Sequence, residues 1–167
     1  MRLHTSEEKK LSWKKRTRLL RILMVDDSEH DIHFVKHALD ASGVGKSFNA
    51  VHNAEEAISY LRADDQYADR TKFPFPNVIF TDLKMPLADG YSLLTWLNAH
   101  PTCSVIPTIV FSSSGLREDV ARVYQHGANA YIVKPNTLEE LVHIIKITYS
   151  FWCICEIPDP PKDQRCP

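Results

Sequence analysis

Residues 22–31 read ILMVDDSEHD. Four apolar residues, Ile22 to Val25, run straight into Asp26 and Asp27 and then into Ser28. With Leu20 and Arg21 they make a short, nearly continuous apolar run, as a strand covered on both faces requires. Ser28 can cap a helix over residues 28–42, in which Ile32, Val35, Ala38 and Leu39 fall on one stripe and Gly43 and Gly45 provide the stop. A buried strand feeding an amphipathic helix is the repeating unit of a parallel α/β sheet.

The same alternation continues along the chain. A second strand is expected over Ser47–Val51, followed by a helix capped by Asn53 with Ala57, Ile58 and Leu61 inward. Residues 64–76 turn polar and then proline-rich, which predicts a helix end and a loop, with Phe73 and Phe75 as tucked anchors. Further strands are expected over Val78–Thr81, Val105–Phe111 and Ala130–Val133, with Pro107 near the start of the fourth. Helices are expected over Tyr91–Ala99, over Glu118–His126 ending at Gly127, and after a Thr137 cap with Glu139 and Glu140 in the first turn. Five strands alternating with five helices predict a doubly wound, five-stranded parallel sheet with helices on both faces.

Such sheets carry their chemistry beyond the carboxyl ends of the strands. Asp26, Asp27, Asp82, Ser112 and Lys134 all fall there. Carboxylates gathered without a counter-cation repel one another, and a hard divalent ion turns that cost into a site. Asp82 is the expected nucleophile, able to form an acyl phosphate. Asp26 and Asp27, with Asp82 and the backbone carbonyl of Lys84, are the expected Mg²⁺ ligands. Ser112 can donate to a phosphoryl oxygen, and Lys134 can offset its charge. Tyr131 is the expected mobile aromatic, and a cis bond to Pro135 would aim the lysine.

Composition narrows the remaining options. The 167 residues carry a formal net charge of −1, which gives no general case for nucleic-acid binding. Residues 1–19 are basic and read as a solvated leader. No apolar run is long enough to span a membrane, and no signal peptide is expected. Cys103, Cys153, Cys155 and Cys166 match no zinc template, and a reducing cytoplasm is expected.

Four stretches, ILMVDDSEHD, VIFTDLKMPLADG, PTIVFSSSG and GANAYIVKP, together resemble the receiver domain of bacterial two-component response regulators, over about residues 20–150. The resemblance implies the flavodoxin-like strand order 2-1-3-4-5. It implies Mg²⁺ (Mn²⁺ is also compatible) on Asp26 and Asp27, and phosphorylation of Asp82 by the phosphohistidine of a partner sensor kinase. It also implies a switch pair of Ser112 and Tyr131, the charge-neutralising Lys134, and a cis Pro135. The region from the helix before the fifth strand onward, including Val120, Val123, Tyr124, Tyr131, Leu138, Leu141, Ile145, Phe151 and Trp152, is the expected homodimer and output face. The tail from 151 to 167, beginning FWCICEIPDP, is similar to small cyanobacterial regulators that pair with phytochrome-type kinases. A stand-alone regulator that is not itself an enzyme, with no DNA-binding domain, is therefore expected. Two other readings remain open: a receiver-like interaction module that does not switch, and an Mg²⁺-dependent aspartyl phosphohydrolase of the haloacid-dehalogenase kind. The second is disfavoured because Asp26 and Asp27 are adjacent rather than spaced Asp-x-Asp.

Overall fold

The computed structural model describes residues 19–167 apart from 45, 87 and 88, so the expected leader and the Gly45 stop lie outside the described residues. Its elements are β1 (Leu20–Val25), α1 (Glu29–Ser42), β2 (Lys46–Val51), α2 (Ala54–Arg62), a 3₁₀ turn (Asp65–Ala68), β3 (Val78–Thr81), α3 (Gly90–Ala99), β4 (Thr108–Ser112), α4 (Arg117–Gln125), β5 (Ala130–Val133) and α5 (Leu138–Ile154). The five strands are parallel in the order β2-β1-β3-β4-β5.

Alternation along β1 divides the core. Leu23 and Val25 join Ala57, Leu61, Leu93 and Leu97 of α2 and α3 on one face. Ile22 and Met24 join Val35, Leu39, Leu141 and Ile145 of α1 and α5 on the other. Val110 of β4 meets Leu94 of α3 and Val123 of α4 in a third cluster. Helices α1, α2, α3 and α5 start where side-chain acceptors meet their first free amides: Ser28, Asn53, Asp89 and Thr137 accept from the amides of Asp31, Glu56, Ser92 and Glu140. Gly43 ends α1 at φ +69°, a conformation that costs glycine little.

Some expectations need correction. The fourth strand starts at Thr108, not Val105, because residues 101–105 turn and the Pro107 carbonyl already accepts the Ile79 amide. The last helix continues through Ile154, so the boundary drawn at 150/151 falls inside it. Of the expected outer face, Val123, Leu141 and Ile145 are buried against the sheet, while Tyr124 and Phe151 are exposed.

Phe73 packs against the core and Phe75 is buried, as tucked anchors, beside Tyr60 and Tyr67. A reducing cytoplasm was expected; Cys103 and Cys166, 63 residues apart in sequence, form a disulfide. No helix among the described residues is long and apolar enough to cross a membrane.

Candidate phosphoacceptor and metal site

Parallel pairing of β1 with β3 places two strand ends side by side. The Asp82 amide donates to the Val25 carbonyl at 2.8 Å, and the Asp26 amide donates to Val51 at 3.0 Å. These backbone bonds hold the two carboxyl-bearing residues at the same end of the sheet. Ligand oxygens of Asp26, Asp27 and Asp82 all lie within 4.8 Å of one another. Mg–O bonds are about 2.0–2.1 Å, so oxygens at this spacing can share one such ion with little adjustment. The donors are hard oxygens, and Asp27 is open to solvent while Asp26 is buried, which suits a metal that retains waters.

Asp26 is 0% exposed. Its Oδ1 accepts the Ser28 amide at 2.9 Å and its Oδ2 accepts Lys134 Nζ at 2.7 Å. Burial raises its pKa above the ordinary carboxylate value; the Lys134 and Ser28 hydrogen bonds recover part of that shift, and the Asp82 charge adds to it. Asp82 is nearly buried, with Oδ1 accepting the Leu83 amide at 2.6 Å and Oδ2 accepting Lys134 Nζ at 3.2 Å.

Lys134 follows β5, and its amide donates to the Ser112 carbonyl at 2.9 Å. Its side chain is 12% exposed. Each of the ammonium's three protons has a carboxylate to meet: Asp26 and Asp31 at 2.7 Å and Asp82 at 3.2 Å. Burial alone would lower the lysine pKa, but the hydrogen bonds to Asp26 and Asp31 outweigh it and the net shift is upward. The ammonium therefore stays charged beside Asp82 across the physiological range.

Asp31 was not among the expected site residues. It sits in the first turn of α1, where its amide is held by the Ser28 hydroxyl. Burial pushes its pKa up, but the Lys134 hydrogen bond and charge pull it down further, and the net shift is downward. A carboxylate at a helix's first turn, directly after a strand-end acidic pair, is the signal that could have found it.

Ser112 ends β4, next to β3, and is fully buried. Tyr131 is half-buried, and its hydroxyl donates to the Ser114 carbonyl at 2.7 Å. The Ser114 hydroxyl donates to Asp119 Oδ2 at 2.5 Å, and Lys84 Nζ lies 3.5 Å from the same oxygen. The Lys84 ammonium is thus drawn toward α4, away from the acidic cluster, although its backbone belongs to the loop after Asp82. Pro135 departs from expectation: none of the described peptide bonds is cis. The trans form is favoured by about 0.5–1 kcal/mol for X–Pro bonds, and Lys134 reaches its carboxylates with the trans bond in place.

Comparison with known proteins agrees with this geometry. The family model for the response regulator receiver domain matches residues 22–146. The response regulator Rcp1 of Synechocystis sp. is 29% identical over 131 residues, covering 78% of this chain and 87% of Rcp1. The solved structure of the phosphorylated cyanobacterial phytochrome response regulator RcpA aligns at TM-score 0.75 with 31% identity, over 85% of this chain and 100% of that one. The Mn²⁺-bound form of Rcp1 aligns at TM-score 0.72 with 28% identity, over 84% and 99%. By sequence, strand order and the arrangement of its acidic strand ends, this chain belongs to the response regulator receiver domain family and resembles the phytochrome-associated members of it.

Proposed function

We propose that this chain is a response regulator that accepts a phosphoryl group on Asp82 from the phosphohistidine of a sensor histidine kinase and thereby changes its protein contacts. The observation that carries the reading is the hydrogen bond from the buried Lys134 ammonium to Asp82, inside a cluster of carboxylates able to share one cation. The likeness to phytochrome response regulators supports a phytochrome-type kinase as the donor.

Asp82 Oδ attacks the phosphorus, the bond to the histidine nitrogen breaks, and the nitrogen keeps the electron pair. Mg²⁺ or Mn²⁺ held by Asp26, Asp27, Asp82 and the Lys84 carbonyl would offset charge on the transferring oxygens. Lys134 supplies the fixed positive charge on the other side. Ser112, on the adjoining strand end, offers a hydroxyl to a phosphoryl oxygen, and its movement frees space for Tyr131 to give up its bond to the Ser114 carbonyl. The exposed apolar residues Tyr124, Val133, Ile147 and Phe151 then form the surface for a second copy of the chain. The reaction occurs in the cytoplasm, the regulator is not a turnover enzyme, and its output passes through proteins rather than DNA.

Incubation with Mg²⁺ and phosphoramidate tests the reading. Intact mass is expected to rise by one phosphoryl group in the wild-type chain and to stay unchanged in Asp82→Asn. A wild-type chain that takes up no phosphoryl group would leave a receiver-like interaction module. A variant that is still labelled would move the acceptor elsewhere.

A further inference from the structure

The disulfide lies at the end of the sheet opposite Asp82. Cys103 sits in the turns between α3 and β4, and Cys166 lies in the segment that follows α5. That segment crosses the amino-terminal ends of the strands. Ile157 to Pro161 lie over Arg21, Phe75, Asn77 and Ile106, and the two sides enclose a cavity of about 290 Å³.

Among the described residues, Ile157 and Cys166 are the buried side chains of this segment, the Cys166 amide donates to the Leu61 carbonyl at 2.9 Å, and Arg62 Nε donates to the Pro167 carbonyl at 3.0 Å. Between residues 158 and 165 every residue except the half-buried Pro161 is exposed. Gln164 adopts φ +51°, a left-handed conformation uncommon for a side-chain-bearing residue, in the turn that brings Cys166 inward. A segment with so little apolar burial has little to offset its ordering entropy once the covalent bond is gone.

We propose that Cys103–Cys166 is a reversible thiol–disulfide exchange site, opened by a dithiol protein reductant, whose redox state decides whether residues 155–167 stay on the strand amino ends. Cys166 is 3% exposed and Cys103 0%, so the segment opens locally before a thiolate of the reductant attacks Cys166 Sγ and forms a mixed disulfide. The electron pair of the broken S–S bond departs on Cys103 Sγ, which takes up a proton. Thr102 Oγ1, 3.6 Å from that sulfur, is placed to donate to the departing thiolate. The second thiol of the reductant then loses its proton, attacks the first sulfur and releases Cys166 as a thiol. The protein disulfide gains two electrons and two protons, and the dithiol is oxidised to its own disulfide.

The bond also joins two functional regions. The α3 helix begins at Gly90, whose amide donates to the carbonyl of Leu83 in the loop after the phosphoacceptor. It ends in the turns that carry Cys103, where the Cys103 amide donates to the His100 carbonyl at 2.8 Å. Oxidation therefore ties the helix that follows Asp82 to the chain beyond α5.

The test uses the full chain equilibrated in dithiol–disulfide buffers of graded potential. Thiol labelling after denaturation is expected to count two groups in the oxidised form and all four cysteines in the reduced form. Hydrogen exchange is expected to rise at least about tenfold at the Cys166 amide on reduction, while the β1 and β3 amides keep their protection. Cys166→Ser and Cys103→Ser should both show the hydrogen exchange of the reduced wild type in every buffer. Three outcomes overturn the proposal: four reactive thiols under oxidising conditions, unchanged exchange of the segment after reduction, or loss of protection in β1 and β3 together with the segment.

Discussion

Lys134→Met removes the ammonium that Asp26, Asp31 and Asp82 share while keeping most of the side chain's volume. Asp26 then remains 0% exposed, and among the described residues no cation is within reach of it and only the Ser28 amide still donates to it. Leaving a buried charge without its partner costs about 3–5 kcal/mol. Asp31, whose side chain is 31% exposed, is rescued by water and adds little. The expected loss at neutral pH is therefore at the lower end, about 3 kcal/mol. Urea unfolding reads this directly: with a slope of about 2 kcal/mol per molar, the midpoint should fall by about 1.5 M. The loss should also depend on pH. Burial already raises the Asp26 pKa above its unfolded value of 3.8, and removing Lys134 takes away its largest opposing contact. A group with a raised folded-state pKa contributes stability that is present below the unfolded value and lost as pH rises through the folded one. The variant should therefore regain stability as pH falls through the acid range, and its deficit should be larger at pH 8 than at pH 5. Saturating Mg²⁺ should restore part of the loss at neutral pH, because it binds only the folded cluster. A loss under about 1 kcal/mol, the same at both pH values, would place Lys134 in solvent and refute the reasoning.

Asp31→Asn should cost about 0.5–1 kcal/mol at neutral pH and progressively less as pH falls below 3.8. The reason is that Asp31's pKa is lowered by Lys134, so its stabilisation is present above the unfolded value of 3.8 and is lost as pH falls from there through the lower folded value; thermal melts across the acid range check this. In Gly90→Ala, the added Cβ would overlap the Asp82 carbonyl oxygen and press on Leu83 Cα. That substitution should cost about 1–3 kcal/mol and slow phosphoryl uptake by displacing the acceptor loop, as measured by denaturation and by the rate of mass increase with phosphoramidate. Ser112→Ala should slow phosphoryl uptake while leaving Mg²⁺ affinity intact, because its hydroxyl is assigned to the phosphoryl group and not to the metal; parallel calorimetric Mg²⁺ titrations and uptake rates separate the two.

The fold was legible because each strand is a short apolar run that ends abruptly. At β1, β3 and β5 the end is marked by Asp26, Asp82 and Lys134, and the caps Ser28, Asn53 and Thr137 open the next helices where expected. The same logic identified most of the acidic cluster, since strand ends of a parallel sheet converge whatever their separation in sequence. It missed Asp31 because that residue reaches Lys134 from a helix, and only the docking of α1 against β1 brings it there. The start of β4 was misplaced because Val105 and Ile106 read as strand on either measure of hydrophobicity or branching, while the turn they occupy is set by the backbone bonds of Cys103 and Ser104 to His100. The Cys103–Cys166 bond left no trace in the spacing, since 63 residues of intervening fold determine that contact. The last helix was read as part of an outer face, but which of its residues face the sheet depended on the register of the helix.

The most direct measurement is the identity of the modified residue. Treating the phosphorylated chain with borohydride converts an aspartyl phosphate to homoserine, which peptide sequencing by mass spectrometry locates. The account requires homoserine at position 82, formed only with Mg²⁺ or Mn²⁺ present and much reduced in Lys134→Met. Homoserine at Asp26, Asp27 or Asp31 instead, or labelling of position 82 that ignores both the cation and the lysine, would contradict it.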